Sequence, residues 1–189
     1  SSKDPYALRR SALGIIRLIL ENKKEFKLSD LINYSISLYK DQGFKFNNDN
    51  VQKDLSLFLV DRLKFYMKEK DIRYDIIEAS INSFSVDNVS KIYNKAIALN
   101  KFIINSFGKD IIASYKRASN ILENELKSKE LDLSNTTDPG IFKNDYEKNL
   151  YKKIHELRKY FTSINKDEDY QVTLGNLADA KLIINEFFD

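Results

Sequence analysis

The stretch 4-DPYALRRSALGIIRLILE-21 decides how the rest of this chain is read. Leu8, Ala12, Ile15, Ile16 and Ile19 recur at spacings of three and four, the period of one helical face and not the alternation of a strand. Asp4 followed by Pro5 is a helix start: a carboxylate N-cap, then proline at the first helical position, where its missing N–H is not needed. The pattern predicts a helix reaching about Lys24. Leu13 and Leu18 widen the apolar arc, so this helix is expected to be covered on more than one side. Arg10 and Arg17 fall opposite the apolar sector, with Arg9 between. Arg9 and Arg10 are expected to tie to carboxylates of a neighbouring helix, and Arg17 to reach solvent.

The same period runs through the chain. A second helix is predicted over Ser29 to Lys40, capped by Ser29 and broken at Gly43. Asn48, Asp49 and Asn50 offer caps for a long third helix through Leu55, Phe58, Leu59, Leu63 and Tyr66. Arg73 to Phe84 follows, using Ile76, Ile77 and Ile81. Helices of about Val86 to Ile104 and Lys109 to Lys129 are expected to hinge at Gly108. Asp138-Pro139-Gly140 is the strongest turn signal. Two more helices, about Asp145 to Ile164 and Tyr170 to Phe188, close the sequence, and Lys166 to Asp169 reads as a solvated turn. The fold class is all-α: a helical bundle of about eight helices in two packed halves, with a seam in Ser83 to Asn88. The expected domains are 1–84 and 85–189.

Composition excludes much chemistry. Of 189 residues 42% are apolar, enough for a core without staples, and 31% are charged. There is no cysteine, hence no disulfide framework and no thiolate metal site. The only histidine is His155, so no mechanism using two imidazoles is available, and no His-Asp dipeptide exists to build a metal phosphohydrolase centre. His155 lies in the basic stretch Lys152, Lys153, Arg158, Lys159 and is expected at the surface. There is no Gly-rich phosphate loop. No apolar run approaches the ~20 residues of a membrane span, and no signal peptide is visible. Catalytic residues, metal ligands and bound cofactors are therefore expected to be absent, and the location cytoplasmic. The net charge of +3 is a mild bias that does not itself imply nucleic acid. The chain starts at Ser1 instead of methionine, and is expected to be cut from a longer one.

The helix from Lys109 to Lys129 is the most informative. Ile111, Tyr115, Ala118, Leu122 and Leu126 share one sector and are expected to face the core. Lys109, Lys116, Asn120 and Lys127 fall on nearly the opposite line. Amines in a row can follow a phosphate backbone, and an asparagine can bond a phosphate or a base edge. A solvated amphipathic helix carries the same kind of outer face, and Glu123 and Glu125 dilute the field.

Four blocks go beyond periodicity. KDPYALRRSALGIIR (3–17) resembles the run K-D-P-F/Y-A-L-R-R-x-A-L-G-I/L/V-I/L/V-R of the β subunit of the bacterial tetrameric glycyl-tRNA synthetase. FLVDRLKFYMKEKDIRYDIIEA (58–79) resembles that family's F-x-x-x-R-L/F-x-x-W/Y block and the helix after it. YKRASNILEN (115–124) resembles N-K-R-V-S-N-I-L, and IINEFFD (183–189) resembles V-I-D-A-F-F-D. The likeness is collinear over essentially the whole chain.

The resemblance implies a late region of the β subunit: residues 1–84 matching the end of an all-helical HD-like part, and 85–189 an anticodon-binding bundle of the D-A-L-R type. It implies that the complete enzyme uses ATP, glycine and tRNA, with the active site in the α subunit. Lys116, Arg117, Ser119 and Asn120 occupy the family's K-R-x-S-N positions. The tRNA contacts expected are Lys109, Lys116, Arg117, Asn120, Lys127 and Arg17; the partners expected are glycine tRNA and the α subunit. An interaction module for subunit assembly without tRNA contact is the alternative. The family continues past F-F-D, so a last core layer is expected to be missing, leaving Leu182, Ile183 and Phe187 to form a dimer contact.

Overall fold

A computed structural model describes residues 4, 6–82, 87–128, 137–163, 170–178 and 180–188. Among the described residues there are nine α-helices, one 3-10 turn and no strand. The chain divides into two compact units, Ser1–Asn100 and Lys101–Asp189.

The first unit holds α1 (Leu8–Glu21), α2 (Leu28–Asp41), α3 (Asn48–Glu69), α4 (Tyr74–Asn82) and the beginning of α5 (Val89–Ile104). The long α3 is the centre, packing against α1, α2 and α4. Its core contains Ala12, Ile16 and Ile19 of α1, Leu28, Ile32 and Ile36 of α2, Val60, Leu63, Tyr66 and Met67 of α3, and Ile76, Ile77 and Ile81 of α4. The α1 and α2 sets recur at three and four, and those of α3 and α4 add one adjacent residue on the same face, so burial follows the sequence period. The Tyr66 and Tyr93 rings meet at 5.8 Å. Burial, and then the neighbouring Tyr66, push the Tyr93 phenol up. Lys64 donates to Glu78 at 2.7 Å between α3 and α4, which raises the Lys64 ammonium and lowers the Glu78 carboxyl. The Glu78 contribution is present above the ordinary carboxylate range and is lost as pH falls through its lowered value.

The contact division falls at Asn100, beyond the seam expected at 84; residues 83–86 of that seam lie outside the described residues. The reason is that the start of α5 belongs to the first unit's core, with Val89, Ile92 and Ala96 buried. Ser90 Oγ donates to the Lys24 carbonyl at 2.8 Å. Asp87 finishes the start of α2: its carbonyl accepts from the Leu28 amide, and its carboxylate accepts from the Ser29 amide (2.7 Å) and hydroxyl (2.9 Å). Ser29 is thus not the N-cap; it sits one residue inside the helix and is capped from 58 residues away. Asp87→Ala is expected to cost about 1–2 kcal/mol of stability, the worth of a good cap, with Asp87→Asn milder because one acceptor oxygen remains. A thermal melt matching that of an Asp30→Ala control would refute this role.

Other expectations shift by local chemistry. α1 begins at Leu8, after Ala7 in the left-handed region at φ 56°; Pro5 lies outside the described residues. Asp4 still serves the helix start, accepting from the Arg9 and Arg10 amides. Burial raises its carboxyl, but those amides and the arginine charges together hold it below the ordinary value. Arg9, Arg10 and Arg17 are all exposed, and Arg10 pairs with Asp4 at 3.6 Å, so the first two are not ties to a neighbouring helix. Leu8 (58% exposed) and Ile15 (43%) leave the expected buried sector, and Leu18 is exposed too. Leu8 and Ile15 border an apolar cleft of about 400 Å³ with Leu31, Tyr34, Leu55 and Phe58. Gly43, at φ 87°, ends the turn after α2 as expected. The cap of α3 is Asn47, accepting from the Asn50 amide at 3.2 Å, one residue before the expected set.

The second unit holds α6 (Ser106–Ser128), the 3-10 turn Pro139–Ile141, α7 (Asp145–Ser163), α8 (Tyr170–Ala178) and α9 (Lys181–Phe188). α9 packs on α6 and α7, and α8 touches both as well. The break after α5 is at Asn105, not Gly108, which lies inside α6. Asn105 accepts from the Gly108 amide at 2.8 Å, capping the new helix. The Asp138-Pro139-Gly140 turn forms, with Asp138 accepting from the Gly140 amide. The expected last helix is two, parted before Ala180, the one buried apolar side chain of this unit among the described residues. Lys166 to Asp169 lie outside them.

Candidate nucleic-acid interface

The second unit is built on a polar seam between α6 and α9. Asp110 pairs with Lys181. Ser114 Oγ donates to Asn185 Oδ1 at 3.2 Å. Arg117 donates to the Phe188 carbonyl, and its guanidinium lies 5.0 Å from the Phe188 ring. The sequence separation stays at 71 from one hydrogen-bonded pair to the next, so the two helices run parallel. Lys181 also lies 5.2 Å from the Phe107 ring.

This seam corrects the expected orientation of α6. Asp110, Ser114 and Arg117 occupy one line, and that line meets α9. The stripe expected to be core is turned away by roughly 110° at 100° per residue. Ile111 and Ala118 are half-buried, Tyr115 is 71% exposed, and Leu122 and Leu126 are exposed. Periodicity fixes which residues share a side, but a polar seam has no hydrophobic signature to say which side packs.

Lys109, Lys116, Asn120 and Lys127 are exposed along one face of α6. From Lys109 to Lys127 the line is about 27 Å long at 1.5 Å per residue. Glu123 lies on the same side. Arg117 is brought instead to the α9 seam. Arg17 is exposed on α1 in the first unit.

A feature that spacing alone did not single out sits on α7. The Phe142 and Tyr151 rings meet at 5.3 Å, and the Tyr151 and His155 rings at 4.3 Å, both edge-on. His155 is exposed, as expected. Beside these rings lies a groove of about 490 Å³ whose walls include Ile141, Lys143, Ile154 and Phe187. An aromatic residue and the histidine four positions later would have been the signal.

Among the described residues no group of three or more His, Asp or Glu is arranged to hold a metal ion, and no helix is long and apolar enough to cross a membrane.

A family model described as "Glycyl-tRNA synthetase beta subunit" matches residues 1–82, the N-terminal part of the chain, and stops short of the region to which the anticodon-binding expectation applies. Curated relatives match throughout. The chain is 39% identical over 188 residues to the glycine–tRNA ligase beta subunit of Rickettsia africae (strain ESF-5), covering 100% of this chain and 26% of the relative. It is 38% identical over 189 residues to that of Rickettsia canadensis (strain McKiel), covering 99% and 26%. It is 36% identical over 188 residues to that of Rickettsia prowazekii (strain Madrid E), covering 100% and 26%. The chain thus spans about a quarter of the length of these relatives. The opening block, the all-helical fold and this unbroken likeness agree: over its whole length the chain is similar to a stretch of glycine–tRNA ligase beta subunits.

Proposed function

We propose that the second unit binds the anticodon arm of glycine tRNA, within a cytoplasmic β subunit that supports ATP-dependent charging of that tRNA with glycine at an active site carried by the α subunit. The observation that carries this reading is the exposure of Lys109, Lys116, Asn120 and Lys127 along one helical face in a chain similar to those subunits. Lysines supply point charge to phosphates, and Asn120 supplies a directional hydrogen bond. Arg117, held at the α9 seam, contributes less; Arg17 is a further phosphate contact on the first unit. No residue here makes or breaks a bond. The contribution is orientation: an arm held at one end lowers the entropy cost of presenting the other end to a distant active site.

The test is a titration with glycine tRNA at several salt concentrations. Binding should weaken steeply with salt, and Lys109→Ala with Lys116→Ala should flatten the slope of log K against log salt by about 2. An unchanged slope rejects the assignment of this face.

A second reading, subunit assembly, is favoured by the uncovered apolar side of α6, with Tyr115, Leu122 and Leu126 exposed. Leu182 (70% exposed) and Phe187 also present apolar surface, with Ile183 half-buried beside them. Salt-insensitive binding to the α subunit without any tRNA shift supports that reading, and a concentration-dependent sedimentation coefficient supports self-association.

A further inference from the structure

We infer that α7 carries a single-stranded RNA site, in which bases stack against Phe142, Tyr151 and His155 while phosphates follow Lys148, Lys152 and Lys159. The inference rests on the tRNA-binding reading above and assigns part of it to side chains outside α6.

Along α7, at about 100° per residue, Lys148, Lys152, His155 and Lys159 fall within one sector roughly 60° wide. They are spaced four, three and four apart, and all are exposed. The stripe covers about 16 Å at 1.5 Å per residue, room for several phosphates of an extended strand. Lys148 shares its charge with Asp145 at 3.1 Å, whereas Lys152 and Lys159 make no ion pair among the described residues. Glu156 lies on the far edge of the stripe.

Next to the stripe stand the rings. Tyr151 and Arg158 border it on one side, and Ile154, 54% exposed, lies beyond them. Tyr151 meets Phe142 at an interplanar angle of 61° and His155 at 62°. None of these rings therefore stacks face to face on another. The groove that Phe142 and Tyr151 border is large enough for a planar heterocycle, at about 490 Å³, and Lys143 stands in its wall. Glu147, also in that wall, is turned to the backbone just before α7, accepting from the Lys143 amide at 2.6 Å.

Amines in a row beside aromatic rings are the two halves of single-strand recognition: charge tracks the backbone, and ring faces accept any base. An acidic peptide would satisfy the amines and leave the rings uncovered. An apolar helix would cover the groove and leave the amines unused. A nucleic acid strand uses both.

The chain contains no tryptophan, so Tyr151→Trp gives a single fluorescent reporter at the centre of the site. The probes are glycine tRNA, a short single-stranded oligoribonucleotide, and its abasic counterpart. The oligoribonucleotide should quench the indole emission of the Tyr151→Trp variant, and the abasic strand should not. Lys152→Ala with Lys159→Ala, both at exposed positions, should flatten the salt slope for the oligoribonucleotide by about 2. Tyr151→Ala should weaken oligoribonucleotide binding by about 5- to 150-fold, with Tyr151→Phe restoring it. If tRNA binds but the slope is unchanged and the indole reporter is not quenched, this site is wrong and the α6 reading stands. Quenching by the α subunit alone, with none by RNA, makes the groove a protein contact and overturns the inference. Absence of any tRNA binding overturns both readings.

Discussion

Leu63→Ala is expected to destabilise the first unit by about 2–5 kcal/mol, the range for emptying a well-packed leucine site. Leu63 is 1% exposed on α3, the helix against which α1, α2 and α4 all pack. The same core holds Ile16, Met67 and Ile77 fully buried, side chains whose packing resists collapse into a void. Urea unfolding should show a lower midpoint with an unchanged slope. Leu57→Ala, on the same helix but exposed, should move stability by no more than ~0.5 kcal/mol. Equal shifts for the two would mean that α3 is not the centre of that core.

Gly108→Ala should be the most disruptive single methyl in the second unit. A Cβ built at Gly108 would collide with the Phe102 carbonyl oxygen, and would stand 2.7 Å from its carbon and 3.0 Å from the Ile103 Cα. All three are backbone atoms, so no rotamer change relieves the clash, and the α5-to-α6 turn itself must move. Overpacking of this kind costs about 1–3 kcal/mol. Gly14 supplies the contrast, since a Cβ there meets nothing within 4 Å in the middle of α1. Gly14→Ala should stabilise by about 0.8–1.0 kcal/mol through helix propensity alone. Paired melts of the two variants check both signs; a neutral Gly108→Ala would deny the close approach.

The contrast between these glycines shows where sequence reasoning stops. Gly108 reads as a hinge because glycine breaks helices, yet here it is kept inside a helix for the closeness of a preceding turn. Asn105, with its side chain accepting from a downstream amide, performs the break. Helix type and order were legible because the apolar spacing is helical nearly everywhere, and Ile76, Ile77 and Ile81 are buried as their spacing predicts. The inward direction of α1 was partly legible: Ala12, Ile16 and Ile19 are covered, Leu8 and Ile15 are not. For α6 the direction was hidden, because Asp110, Ser114 and Arg117 pack through hydrogen bonds and charge instead of apolar area. The four lysine and asparagine positions of the proposed interface were legible as a face, since burial on the seam side leaves them outside. The ring group of α7 was not, because Phe142 precedes the helix and only the turn at Asp138 brings it beside Tyr151.

Asp87 sets the order in which the first unit can be completed. The amides opening α2 find their acceptor 58 residues later in the chain. At a synthesis rate of about 5–20 residues per second, that acceptor arrives roughly 3–12 s after Ser29 is made. Until then α2 frays at its leading end, and its docking is sealed only when the start of α5 arrives to close the loop.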